Sequence, residues 1–130
     1  MRVLLIEDEP TTAKAIDLML SAEGFNVYST DLGEEGLDLG KLYDYDIILL
    51  DLNLPDMGGV DILEKVKANP HTKLSPVIVL TTTDDSREIQ RCYDLGANVY
   101  ITKPVDYEGF ANAIRQLGLF FSVMQVPETE

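Results

Sequence analysis

The sequence predicts an α/β protein in which a doubly wound sheet of five parallel strands carries helices on both faces. Short apolar runs rich in branched side chains alternate with longer segments whose apolar residues recur at helical spacing. The run at residues 2–6 is apolar at nearly every position, which is typical of a central strand buried on both faces. A helix-length segment separates each run from the next, as right-handed crossovers between parallel strands require.

The first half of the chain supplies three strands and three helices. Pro10 suits a first helical turn, because the N–H that it lacks would have no partner there, and Gly24 ends this helix. Gly36 and Gly40 weaken the second helix. The predicted strands are 2–6, 25–30 and 45–51, and the predicted helices are 10–23, 34–42 and 60–68.

The second half begins with turn-forming residues at 69–75, a long loop for a helix-to-strand connection. Gly96 is predicted to end the helix that follows the fourth strand. The predicted elements are strands at 76–81 and 98–102 and helices at 87–95 and 106–121.

Length and composition indicate one domain, residues 1–122, followed by a short C-terminal tail, residues 123–130. A net charge of −13 argues against nucleic-acid binding by this chain, because phosphate contacts need clustered Lys and Arg. No segment is apolar and long enough for a membrane span. A lone cysteine, Cys92, cannot form an internal disulfide, so a cytoplasmic location is expected. Neither Cys92 nor His71 is predicted to bind a metal.

Polar side chains follow four of the predicted strands. The first strand is followed by Glu7, Asp8 and Glu9. Asp51 ends the third strand, Thr81 ends the fourth, and Lys103 follows the fifth. The carboxyl ends of parallel strands meet along one edge of the sheet, where such sheets hold their ligands. We therefore expect the four acids to converge. A buried apolar run ending in carboxylates is costly without a cation, so the pattern indicates a cation site.

Together, Asp8, Asp51, Thr81 and Lys103 resemble the receiver domain of bacterial two-component response regulators, in the family's order and at family-like separations. The resemblance covers essentially the whole chain. It implies a flavodoxin-like fold with strand order 2-1-3-4-5. It also implies a partner, a sensor histidine kinase or a phosphotransfer protein, that supplies a phosphoryl group. The chain would catalyse only its own Mg²⁺-dependent phosphoryl transfer and dephosphorylation, and would not otherwise be an enzyme.

The resemblance assigns a role to each site residue. Asp51 looks like the phosphoacceptor, since a carboxylate can carry a phosphoryl group as an acyl phosphate. Mg²⁺ prefers a few carboxylates with water and phosphate oxygens. Its expected ligands are Glu7, directly or through water, together with Asp8, Asp51 and the backbone carbonyl of Asn53.

The resemblance also implies a switch. Lys103 would place its ammonium group beside the phosphoryl oxygens, and Thr81 would donate its hydroxyl to one of them. Thr82 and Thr83 leave the register open, but Thr81 matches the family's separations from Pro76 and Lys103. Movement of Thr81 would let Tyr100 rotate, which couples the pocket to the fourth helix, the fifth strand and the fifth helix. Thr82 departs from the alanine that is usual there.

Near its end, the last predicted helix has apolar residues on more sides than a single buried face can accommodate. We expect a homodimer through this helix, and intramolecular packing of the tail is the alternative. The expected interface residues are Leu117, Phe120 and Phe121.

Two different resemblances meet near residues 54–59. The first half, Met1 to Met57, resembles receivers of the CtrA group of cell-cycle transcription regulators. The second half resembles single-domain regulators that partner bacterial phytochrome kinases. A chimera is therefore one hypothesis. Two functional alternatives stay open: a receiver-like interaction module independent of phosphorylation, and the excised receiver of a DNA-binding transcription regulator. A flavodoxin-like nucleotide site is disfavoured, since acids stand where a phosphate-binding loop would be.

Overall fold

The structure, a computed structural model, contains a five-stranded sheet with helices on both faces. It describes residues 2–22, 24–52, 54, 58–81, 86–102, 112 and 116. The strands are β1 (Arg2–Ile6), β2 (Asn26–Thr30), β3 (Ile47–Asp51), β4 (Val77–Thr81) and β5 (Val99–Thr102). The helices in the described part are α1 (Pro10–Ala22), α2 (Gly33–Leu42), α3 (Gly59–Ala68) and α4 (Ser86–Asp94).

All strand pairs are parallel, and the order is β2-β1-β3-β4-β5, which confirms the predicted topology. The bounds of β1 are those predicted, and the bounds of the other described elements differ from the predicted ones by one or two residues. Phe25 does not begin β2, because its N–H closes α1 by donating to the carbonyl of Leu20. β3 begins at Ile47 rather than Tyr45, whose carbonyl accepts a hydrogen bond from the Ser75 hydroxyl instead.

The sheet has a separate apolar cluster on each face, because successive strand residues point to opposite sides. On one face Val3 and Leu5 pack with Ile16 of α1. On the other face Leu4 and Ile6 belong to a cluster with residues of α2, α3 and α4. The central strands are therefore covered on both sides, which explains their continuous apolar sequences.

Glycines end two of the helices, as the sequence predicts. Gly24 follows α1 with φ of 90°, and Gly96 follows α4 with φ of 107°. Only glycine adopts this left-handed backbone without steric cost, so the chain can reverse toward the next strand at both points.

Side-chain hydrogen bonds anchor the long loop between α3 and β4. The Thr72 hydroxyl donates to a backbone carbonyl of α3 at 2.7 Å, and the Ser75 hydroxyl donates to the Tyr45 carbonyl at 2.8 Å. The ammonium group of Lys67 donates to the Ser75 carbonyl at 3.1 Å, and burial lowers the pKa of this lysine. These hydrogen bonds hold the loop in one conformation despite its length.

The predicted fifth helix lies outside the described residues, apart from Asn112 and Gln116, which are helical. The C-terminal tail and the interface residues Leu117, Phe120 and Phe121 also lie outside them, so the predicted dimer stays a prediction. Within the described part, every helix is too short or too polar to cross a membrane.

Gly59, the first residue of α3, lies against the chain that leaves β3. Its N–H donates to the Leu52 carbonyl at 3.1 Å. A Cβ atom on Gly59 would lie 2.8 Å from the Leu52 carbonyl oxygen and 2.7 Å from its Cδ2, with the Leu52 Cα also in collision. Only glycine therefore lets α3 begin this close to the residue that follows Asp51.

We predict that Gly59→Ala destabilises the fold by about 1–3 kcal/mol, because backbone atoms of Leu52 must move to admit the methyl group. Urea denaturation measures the change. Gly58→Ala is the matched control, since a Cβ there would lie 3.4 Å from Asp61, an ordinary contact. Equal losses of stability in the two variants would contradict the close approach at Gly59.

Cys92 is fully buried in α4. Burial raises the pKa of its thiol, because the thiolate is poorly solvated inside the protein. The unfolded chain then loses this proton at a lower pH than the folded chain. The thiol's contribution to stability is present below the unfolded pKa and is lost as pH rises through the folded pKa.

We accordingly predict a pH-dependent effect of Cys92→Ala. The difference in free energy of unfolding between the parent protein and this variant should be constant below about pH 8 and shrink at higher pH. Urea titrations at several pH values measure it. A difference that stays constant up to about pH 10 would contradict the raised thiol pKa.

Candidate functional site

The pairing of β1 with β3 creates the candidate site. Ile6, the last residue of β1, lies opposite Leu50 of β3 in the parallel ladder. The residues that follow this pair, Glu7 and Asp51, therefore lie side by side at the carboxyl edge of the sheet. Glu7 is fixed further by its N–H, which donates to the Thr30 carbonyl of β2 at 3.0 Å.

Three of the predicted site residues form an acidic cluster. Carboxylate oxygens of Glu7, Asp8 and Asp51 all lie within 4.8 Å of one another. Glu7 is 2% exposed and Asp51 is 1% exposed, whereas Asp8 faces solvent. Like charges at about 4 Å repel by about 1 kcal/mol in water and about 4 kcal/mol at an effective dielectric constant of about 20. Bringing these acids together therefore costs stability.

The cluster fits a small divalent cation. Its donors are hard carboxylate oxygens, the ligand type that Mg²⁺ prefers, and Asp8 leaves the site open to solvent. In the part of the chain that the structure describes, no second group of three His, Cys, Asp or Glu side chains has ligand atoms this close. Asn53, the fourth expected ligand, lies outside the described residues.

Thr81 is another predicted site residue that the structure describes. It is fully buried at the end of β4, one residue after Leu80, which lies opposite Asp51. Tyr100 is half-buried in β5 and lies opposite Val79, so Tyr100 and Thr81 are on the same face of the sheet. Lys103 lies outside the described residues, and its predicted role stays untested.

Glu9 does not join the cluster, contrary to expectation. Its carboxylate turns to the start of α1, where it accepts hydrogen bonds from the Thr11 N–H at 3.1 Å and the Thr12 N–H at 2.7 Å. The Thr12 hydroxyl also donates to it, and these bonds, led by the hydroxyl, lower the pKa of Glu9. The first N–H groups of a helix have no partner within the helix, so they compete for a nearby carboxylate.

The sequence profile of the response regulator receiver domain family matches residues 3–115. The chain belongs to this family. It is a receiver domain of two-component signalling, which confirms the family and the fold expected from the sequence.

Similar proteins include the cell cycle transcriptional regulator CtrA of Caulobacter vibrioides. The two are 54% identical over 105 residues, which is 80% of this chain and 44% of CtrA. CtrA proteins of Brucella species are equally similar, at 54% identity over 104 residues. The chain thus spans less than half the length of these curated relatives.

Solved receiver structures share the fold. A receiver domain from Rhodospirillum rubrum is 56% identical with a TM-score of 0.90, and the match covers 100% of this chain and 99% of that one. The manganese-bound form of response regulator Rcp1 is 25% identical with a TM-score of 0.91, covering 98% and 99% of the two chains. The likeness to CtrA extends over 105 residues and so continues beyond the first half. The chimera hypothesis itself stays a prediction.

We predict that Asp8→Asn stabilises the metal-free protein by about 1 kcal/mol, because it removes repulsion within the acidic cluster. It should also reduce the rise in Tm that Mg²⁺ produces, since one oxygen anion is lost. Thermal denaturation with and without Mg²⁺ measures both effects. Asp38→Asn, an equal charge change at an exposed position on α2, serves as the control. If both variants gained the same stability, the repulsion would not be specific to the cluster.

Proposed function

We propose that this receiver accepts a phosphoryl group on Asp51 in a Mg²⁺-dependent reaction. One observation carries the proposal: two buried carboxylates, Glu7 and Asp51, converge with Asp8 within 4.8 Å at the carboxyl edge of the sheet. Such a costly arrangement is explained if a cation neutralises it in the working protein. Buried Thr81 on the next strand is a hydroxyl donor for the same site.

In the proposed reaction, a carboxylate oxygen of Asp51 attacks the phosphorus atom of a phosphoryl donor. A new O–P bond forms, the bond from phosphorus to the donor breaks, and the donor leaves with the electron pair. Glu7, Asp8 and Asp51 would hold Mg²⁺, with the backbone carbonyl of Asn53 as a further ligand. The ion supplies positive charge that offsets repulsion between the carboxylate and the phosphoryl group.

Thr81 and Lys103 would orient the transferred group. The Thr81 hydroxyl donates a hydrogen bond to one phosphoryl oxygen, and the Lys103 ammonium offsets the charge on another. Positioning and charge neutralisation are the main sources of catalysis in phosphoryl transfer, so no further general base is required for this step. Hydrolysis of the acyl phosphate then returns Asp51 to its starting state.

The same residues would form a switch. Phosphorylation would convert the singly charged Asp51 carboxylate into an acyl phosphate with about two negative charges and give the Thr81 hydroxyl a new acceptor. Inward movement of Thr81 would free space for Tyr100, which is half-buried on the same face of the sheet. A coupling free energy of about 1–3 kcal/mol is typical of such two-state elements. The proposed output is a changed surface of α4, β5 and the last helix.

The proposed phosphoryl donor is a sensor histidine kinase or a phosphotransfer protein, on the strength of the family. A homodimer through the last helix is the proposed assembly, with Leu117, Phe120 and Phe121 at its interface. The cytoplasmic location stays a prediction. Because Asp51 lies in an acidic cluster with Glu7 and Asp8, a module independent of phosphorylation is the weaker alternative.

The test is phosphorylation by acetyl phosphate with Mg²⁺, followed by intact-mass measurement. We expect the addition of one phosphoryl group to the parent protein, none without Mg²⁺ and none in Asp51→Asn. Asp38→Asn removes a distant acid and should be labelled like the parent. Equal labelling of Asp51→Asn would refute the acceptor assignment, and labelling that is insensitive to chelation of Mg²⁺ would refute the metal requirement.

A further inference from the structure

We infer that Glu9 and Thr12 are positioning residues for the metal site, although neither is a metal ligand. They hold the turn between β1 and α1 so that the Glu7 carboxylate faces Asp8 and Asp51. The inference rests on the proposed Mg²⁺ site, because its effect would be measured as the affinity of that site.

The first step is the closure of the turn by the Glu9 side chain. Its two carboxylate oxygens accept three hydrogen bonds, two from the N–H groups of Thr11 and Thr12 and one from the Thr12 hydroxyl. The Glu9 carbonyl accepts another, from the Ala13 N–H at 2.9 Å. The side-chain carboxylate and the backbone carbonyl of Glu9 are thus both hydrogen-bonded to α1, so rotation about its backbone bonds is restricted.

The second step leads from the Glu9 backbone to the metal site. The Glu9 N–H donates to Oε1 of the Glu7 carboxylate at 3.3 Å. The direction of this N–H follows the backbone that the cap fixes. A continuous chain of hydrogen bonds therefore runs from the Thr12 hydroxyl through Glu9 to a carboxylate within the acidic cluster.

Fixing a carboxylate before the cation arrives should strengthen binding. Metal ligands are oriented by hydrogen bonds from residues around them, and loss of such a partner typically lowers metal affinity about 10–100-fold. Repulsion within the cluster favours movement of the Glu7 carboxylate away from Asp8 and Asp51, and the hydrogen bond from Glu9 helps to hold it in place. The cap opposes that movement.

Thr12 allows a test that leaves the net charge unchanged. Thr12→Val keeps the shape of the side chain but removes the hydroxyl, whereas Thr12→Ser keeps the hydroxyl. We expect Thr12→Val to weaken Mg²⁺ binding by about tenfold, measured by isothermal titration calorimetry, and Thr12→Ser to bind within about twofold of the parent protein.

Ser21→Ala is the matched control on the same helix. The Ser21 hydroxyl donates to Asp17 at 2.9 Å, so this variant loses a similar exposed side-chain hydrogen bond at the far end of α1. It should change the Tm of the metal-free protein by about as much as Thr12→Val, without changing Mg²⁺ affinity. Equal losses of affinity in both variants would mean that Thr12 acts only through helix stability, which would overturn the inference.

Phosphorylation kinetics provide a second readout. With acetyl phosphate as donor, Thr12→Val should need more Mg²⁺ for half-maximal rate but reach the parent rate at saturating Mg²⁺. A parent protein that binds no Mg²⁺ would refute the proposed function itself. Mg²⁺ binding by the parent, with the same affinity in Thr12→Val, would refute the positioning role alone.

Discussion

The parallel pairing of β1 with β3 is the constraint on which the candidate site depends. It sets Ile6 opposite Leu50, and the carboxylates of Glu7 and Asp51 consequently emerge together where both strands end. The strands themselves are held by apolar side chains on both faces, so the hydrophobic core supplies the free energy that keeps the acids close. Repulsion within the site is thus balanced by packing elsewhere in the domain.

Two local features near the sheet edge shape the site further. Gly59 lets α3 begin against Leu52, the residue that follows Asp51. The Glu9 carboxylate accepts hydrogen bonds from N–H groups at the start of α1, so the cluster contains three carboxylates rather than four. In the arrangement we propose, the cation site thereby has fewer anions to neutralise. The Glu9 carboxylate stabilises the start of α1 instead.

The acidic cluster is unfavourable while no cation is bound, because its carboxylates repel one another. In the function we propose, a bound cation relieves this repulsion, and phosphorylation then changes the charge on Asp51 again. Thr81 and Tyr100 lie on one face of adjacent strands, where a change at the carboxyl edge can reach the surface of β5. The proposed signalling function uses that proximity.

Much of this protein could be predicted from its sequence. The continuous apolar runs determined the buried strands, Gly24 and Gly96 determined two helix ends, and alternation of elements determined a parallel sheet. These signals are local, because they depend on backbone conformation and on the burial of neighbouring residues. The acidic residues at the ends of the strands could also be recognised in the sequence.

Only the tertiary structure decided which acids meet. Glu7, Asp8 and Glu9 are consecutive, yet two turn toward Asp51 and the third turns toward α1. The N–H groups at the start of α1 hold the Glu9 carboxylate, whereas the pairing of β1 with a strand distant in sequence sets Glu7 beside Asp51. The close approach of Gly59 to Leu52 could not be predicted from the sequence either, because it arises from how α3 packs on the sheet. Composition and spacing record which groups are present, but their distances are fixed by long-range packing.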